Sequence, residues 1–228
     1  MASLYLIRHG QASFGSEDYD QLSGLGERQC RLLGEWWQAR GLKTGTVLCG
    51  PMRRHRQSFE QFSAGLGRDV VAFDAPQLAE FDHENVIEVH RPEFADKSAL
   101  ARFLAEHPSP RQAFHEFFTH AVTRWHSGGF DHEYNESWPQ FRTRVVEAFK
   151  AMRQTGGDVM VFTSGGAIAV ILQEVLGLDN HRCFALNGII ANGSVTRLLY
   201  RADEVSLHSF NSTAHLDIHD EPALITYR

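Results

Sequence analysis

Basic charge is in short supply in this sequence: 22 Lys and Arg stand against 28 Asp and Glu, a formal net charge of -6. Without a positive field there is no electrostatic footprint for nucleic acid or an anionic membrane surface, and neither is expected as a partner. Cysteine is scarce too. Cys30, Cys49 and Cys183 are three in number and form no C-x-x-C pair, which suits reduced thiols rather than a disulfide framework. No stretch approaches the roughly 18 apolar residues of a membrane-spanning helix. A basic n-region is missing ahead of the first apolar run, which Arg8 and His9 interrupt. No signal peptide is therefore expected, and the expected location is cytoplasmic. Internal repeats, low-complexity tracts and linkers are also lacking. At 43% hydrophobic and 22% charged residues, the composition is that of an ordinary globular chain. A single domain over 1–228 is expected.

What is present begins with Leu4-Tyr5-Leu6-Ile7, a short β-branched and aromatic run that reads as a buried strand and ends in Arg8-His9-Gly10. Ser23 then reads as the N-cap of a helix over about 24–40, with an apolar stripe of Leu25, Leu32, Leu33, Trp36 and Trp37. Thr46–Cys49 predicts a second strand, Met52–Leu66 a helix, and Val70–Phe73 a third strand. Strand, helix, strand, helix, strand is the pattern of a parallel sheet with right-handed crossovers. Between about 80 and 157 the rhythm changes to helices near 96–107, 110–127 and 138–155, with Pro110 at a first helical position and a capping box of Ser137 with Gln140. This helical insertion is crowded with aromatics, among them Phe103, Phe117, Trp125, Trp138 and Phe141, which read as packing or as an apolar lid. Asp158–Thr163 predicts a fourth strand, Ala167–Leu176 a helix, and 194–200 with 205–210 a hairpin. The tail from Asn211 onward is polar and is expected on the surface.

A cation, an imidazole and a glycine at a strand's carboxyl end put an anion clamp and a candidate nucleophile where open α/β sheets keep their sites. Arginine offers phosphoryl oxygens a rigid fork of donors, so Arg8 is one clamp and Arg54, at a helix start after the second strand, is the other. Backbone N–H groups at a helix start add to anion affinity. An imidazole beside two guanidinium groups has its pKa depressed, which keeps the ring nitrogen neutral for attack. Glu80 leaves the third strand at the same edge and could protonate a leaving oxygen and then activate water. Neither a serine hydrolase nor a zinc enzyme fits. A G-x-S-x-G elbow around Ser164 would need glycine where Phe162 stands. His115 and His120 are five apart, on different sides of a helix, and no histidine follows His83 at metal spacing.

Arg8-His9-Gly10 with Leu22-Ser23-x-x-Gly26-x-x-Gln29, then Gly50-Pro51-Met52-x-Arg54-x-x-Gln57-Ser58, Leu78-x-Glu80, and Val161-Phe162-Thr163-Ser164-Gly165-Gly166 come in an order that resembles the histidine phosphatase superfamily, the phosphoglycerate mutase-like group. The second segment is similar to the family's S-P-L-x-R-A-x-Q-T, with Gly50 for its first serine and His55 for its alanine. The last is similar to V-x-[ST]-H-G-G, with Ser164 where the histidine belongs. The resemblance implies an α/β fold, a three-layer α/β/α sandwich on a mixed, mostly parallel six-stranded sheet with a helical insertion beside the site. It implies a metal-independent phosphomonoester hydrolase working through phosphohistidine on His9. Arg8, Arg54, Ser164 and Gly165 would hold the phosphate and Glu80 would be the acid, with no cofactor and a small phosphorylated molecule as substrate. Loss of one preorganised donor at 164 implies reduced activity, by roughly a hundred- to a thousandfold. His55, His83 and His215 are the candidates to compensate. The alternative reading is a weak or inactive relative that binds a phosphorylated ligand or a protein partner. A phosphoglycerate mutase ranks behind both, because no extra basic cluster marks a bisphosphorylated substrate.

Overall fold

The computed structural model of the chain describes residues 1–13, 20–201 and 204–227. In chain order it runs β1 (Ala2–Arg8), α1 (Gly24–Ala39), β2 (Thr46–Cys49), α2 (Arg53–Leu66) and β3 (Ala72–Asp74). Four helices follow: α3 (His83–His90), α4 (Lys97–Ala105), α5 (Pro110–His126) and α6 (Trp138–Gln154). The chain closes with β4 (Val159–Thr163), α7 (Gly165–Leu176), α8 (Asn180–Ile189), β5 (Val195–Arg201), β6 (Glu204–Ser212) and α9 (Ala214–Asp217).

The six strands form one mixed sheet in the order β3-β2-β4-β1-β5-β6. The first four are parallel, β5 runs against them, and β6 runs against β5 and so returns to their direction. Register decides what the sheet can build. Arg8 pairs with Thr163 and Cys49 with Phe162, so β1, β4 and β2 end side by side. The residues just beyond those ends are His9, Ser164 and Gly50. This α/β fold is the one expected.

Each face of the sheet is buried under helix. Alternation sends Ile7, Val47, Cys49, Met160 and Phe162 to one side, where they pack with Leu33, Trp37, Phe59, Phe62 and Leu66 of α1 and α2. The expected stripe on α1 is rotated, since Gln29, Cys30, Leu33, Gly34 and Trp37 are buried while Leu25 and Leu32 are only partly covered. Ser23 caps α1 as expected, accepting from Gly26 N. Helix α7 is buried along Gly165–Gln173 and packs against β1 and β6, which explains why its sequence is apolar all round. Gly10 is required by packing. A Cβ there would sit 2.3 Å from the Gly26 carbonyl oxygen, so the glycine lets the chain pass α1.

Helices α3, α8 and α9 went unforeseen. Helices α3 and α8 are short, with few buried residues, and each starts on an aspartate cap: Asp82 accepts from Asn85 N and Asp179 from Arg182 N. The tail also departs from expectation. Asn211 takes up φ 55, accepts from Ala191 N and donates to Ile189 O, while His215, Leu216 and Leu224 are buried. Gln29 then donates to Leu224 O and Asn192 N to Thr226 O, so the polar-looking tail is tied into the interior.

The chain divides into two compact units, one of Met1–Glu80 with Arg144–Arg228 and one of Phe81–Thr143. The second has its own aromatic packing, with Trp125 against Phe81, Trp138 and Phe141, and Phe94 against Phe103 and Phe117. The packing role read from the sequence suffices for these rings. His83 opens α3 and belongs to this unit.

Candidate active site

The first unit gathers Arg8, His9, Arg54, His55, Glu80, Ser164 and Gly165 at the carboxyl ends of β1, β2 and β4. His9 is 6% exposed and leaves β1 with its backbone N–H on Thr163 O at 2.9 Å. Its Nδ1 lies 2.7 Å from Gly10 O. A carbonyl can only accept, so Nδ1 carries the proton and the Nε2 lone pair points the other way. That lone pair receives Arg54 Nε–H at 3.3 Å. The ring is thus fixed in the tautomer that a nucleophile needs.

Arg54 is 4% exposed, and its place is set by the start of α2. Asp20 holds that start together. One oxygen accepts from Arg53 N at 2.9 Å and the other from Arg54 Nη1 at 2.7 Å. Nothing in the sequence marked Asp20, which stands two residues before the Leu22-Ser23 motif and outside it. Arg8 sends Nη1 to Tyr227 O at 2.9 Å and to Ile190 O, so the tail orients it. A Cβ at Gly165 would begin 3.7 Å from Arg8 Nε.

Ser164 stands at the N-cap position of α7 yet makes no capping bond. Its hydroxyl lies 2.6 Å from His55 Nε2 instead. Glu80 reaches the same helix start, where its Oε2 accepts from Gly166 N at 3.1 Å. Arg144 braces the Glu80 segment through Gln77 O at 2.7 Å and Ala79 O at 2.8 Å. Of the three compensating candidates, His55 enters the group, with its ring 5.8 Å from that of His9. His215 Nε2 lies 3.9 Å from where a Gly193 Cβ would be, and it has no hydrogen-bond partner among the described residues.

Burial dominates the electrostatics. It is the largest cause holding His9 well below 6.5, with Arg54, then Arg8, then His55 adding to the effect. The sequence pointed to the arginines and not to burial. Burial also lowers His55 and His215, each to about 3. Each ring stays neutral when folded but takes up a proton when unfolded, so the unfolded state binds more protons between about pH 3 and 6.5. Stability is full above 6.5 and falls with acid, by about 1.4 kcal/mol per pH unit for each such histidine. Urea titrations from pH 7 to 4 should show this slope, and His215→Gln should flatten it by one histidine's share. An equal slope in that variant would contradict the assignment.

A model of the histidine phosphatase superfamily (branch 1) matches residues 4–213. Similar solved structures include the phosphoglycerate mutase of Bacillus anthracis str. Sterne, with TM-score 0.64, 15% identity, and coverage of 96% of this chain and 97% of that one. A mycobacterial glucosyl-3-phosphoglycerate phosphatase has TM-score 0.61 and 20% identity over 94% and 100% of the two chains. The phosphoserine phosphatase of Entamoeba histolytica, in complex with 3-phosphoglyceric acid, has TM-score 0.61 and 16% identity over 95% and 100%. At these identities the likeness is one of fold. No curated protein matches the chain in sequence.

Proposed function

The chain belongs to the histidine phosphatase superfamily, and from that premise we propose that it is a phosphomonoester hydrolase working through a phosphohistidine on His9. One observation carries the reading: a buried imidazole with its proton committed to Gly10 O presents a neutral Nε2 beside the Arg54 guanidinium. Nε2 attacks phosphorus in line as the ester P–O bond breaks. Glu80 gives its proton to the leaving alcohol oxygen. Glu80, now a carboxylate, takes a proton from water as the water oxygen attacks the phosphohistidine, which returns His9 and releases inorganic phosphate. Arg8, Arg54, the Ser164 hydroxyl and the amides at the start of α7 hold the phosphoryl oxygens. The neighbours named above for phosphoserine and glucosyl-3-phosphoglycerate support a small phosphorylated metabolite as substrate.

The test is a rapid acid-free quench of the protein mixed with a radiolabelled phosphomonoester. A phosphoenzyme labile to acid and stable to base is the expected result, along with steady release of phosphate. Guanidinium groups supply the positive charge, so both signals should survive a chelator. Turnover with no such adduct, or turnover that a chelator removes and zinc or magnesium restores, would count against the mechanism.

A further inference from the structure

His55 and Ser164 form a buried pair beside His9, and the inference drawn from them rests on the phosphohistidine reading. Both side chains have 0% exposure, and the Nε2–Oγ distance is 2.6 Å. A serine at an N-cap normally accepts from the helix's own second or third N–H. Ser164 gives up that bond, and its hydroxyl is held by an imidazole from another helix.

Room for this imidazole comes from Gly50. A Cβ at that position would lie 2.3 Å from His55 Nδ1 and 3.1 Å from Leu78 O, so any side chain at 50 would drive the ring out of its place. Gly50, His55 and Ser164 are three positions where the motifs in this chain depart in chemical character from the pattern they resemble, whereas Met52 for leucine and Ser58 for threonine are conservative. The fold brings all three into one contact, at the ends of neighbouring strands β2 and β4. Burial keeps His55 neutral, with a pKa lowered to about 3, so the ring has a single N–H. Nε2 is the ring nitrogen engaged with the Ser164 hydroxyl, while Nδ1 faces the Gly50 backbone.

We propose that His55 is a positioning residue: its Nε2 hydrogen bond holds Ser164 Oγ, so that the serine hydroxyl is kept in place for the phosphoryl group on His9. The pair then places one hydroxyl from two short reaches, where serine alone would rotate.

Four variants test this with a phosphomonoester under single-turnover and steady-state conditions, each checked for folding by thermal melt. Ser164→Ala should lower kcat by roughly a hundred- to a thousandfold with KM nearly unchanged. His55→Phe keeps the ring's bulk without its N–H and should lose about a hundredfold through misplacement of the hydroxyl. The double variant should be no slower than Ser164→Ala, because His55 acts through Ser164. His55→Gln retains an N–H and should recover most of the loss, an outcome a packing role would not produce. Wild-type kcat in His55→Phe, or losses that multiply in the double variant, would overturn the proposal. If His55→Phe does not fold, His55→Gln against His55→Ala gives the same reading. Absence of phosphohistidine from the wild-type protein would instead remove the premise. Phosphohistidine formed and turned over at equal rates in wild type and His55→Phe would defeat this inference alone.

Discussion

His9→Ala should leave a folded protein that forms no phosphoenzyme and turns over a phosphomonoester about 10^4- to 10^6-fold more slowly, the scale of losing a covalent nucleophile. The fold should survive because the bonds that place residue 9 are mostly backbone. Its N–H reaches Thr163 O at 2.9 Å, and its carbonyl accepts from Gly193 N at 3.1 Å and Asn192 Nδ2 at 3.3 Å. The ring contributes Nδ1–H to Gly10 O and the contact with Arg54. No neighbouring imidazole stands in. The Nε2 of His55 is engaged by Ser164, and His215 lies against Gly193. Binding of inorganic phosphate should persist, since Arg54 and the start of α7 are untouched. Equilibrium dialysis with labelled phosphate separates a dead site from a lost one. A variant that keeps about a tenth of the wild-type rate would show that another group attacks phosphorus.

The parts of the molecule legible in its sequence were those whose signal is local. A short β-branched run ending in Arg8-His9-Gly10, Ser23 before an amphipathic stretch, and Ser137 with Gln140 each carry their meaning within about four residues: α1 and α6 begin where expected, and β1 contains the expected run but starts earlier, at Ala2. The third strand was placed near 70–73, but pairing covers Ala72–Asp74. Phe73 looks like a core residue yet is 60% exposed on this edge strand, and Val71, just before the strand, is 74% exposed, positions where apolar character says little about burial. Helices α3 and α8 were missed because they bury only Val86, Ile87 and Cys183, too few for a periodic signal. The tail's burial depends on partners such as Gln29 and Asn192, far away along the chain.

The candidate site divides in the same way. Arg8, His9, Arg54 and Glu80 were legible because each residue type has a chemical reason at a strand or helix end. Asp20 was not, since only the fold brings a loop carboxylate to the start of α2. The contact among Gly50, His55 and Ser164 joins two neighbours in sequence to a residue 109 positions beyond His55. In sequence they were three separate irregularities, and strand register made them one feature.

Arg54→Ala should cost roughly a hundred- to a thousandfold in kcat/KM, the scale of removing one preorganised charged donor. It should also change the pH profile, which simple loss of packing would not do. Arg54 is the second-largest cause of the lowered His9 pKa, after burial. A guanidinium beside the ring disfavours the imidazolium, so removing it lets His9 hold its proton to higher pH. Only the neutral ring attacks, and the acid limb of kcat/KM in the free enzyme should therefore move upward in pH. Arg54→Lys should not restore the rate. Its single ammonium cannot span His9 Nε2 and Asp20 Oδ1 as the separate Nε and Nη1 of the guanidinium do. Asp20→Asn tests the bracing from the other side: the cation remains near His9 but is held less firmly, so the rate should fall less than in Arg54→Ala. Its acid limb should stay close to that of the wild type. If Arg54→Ala slows the reaction while its acid limb stays in place, Arg54 acts on substrate alone and the assigned coupling to His9 is wrong.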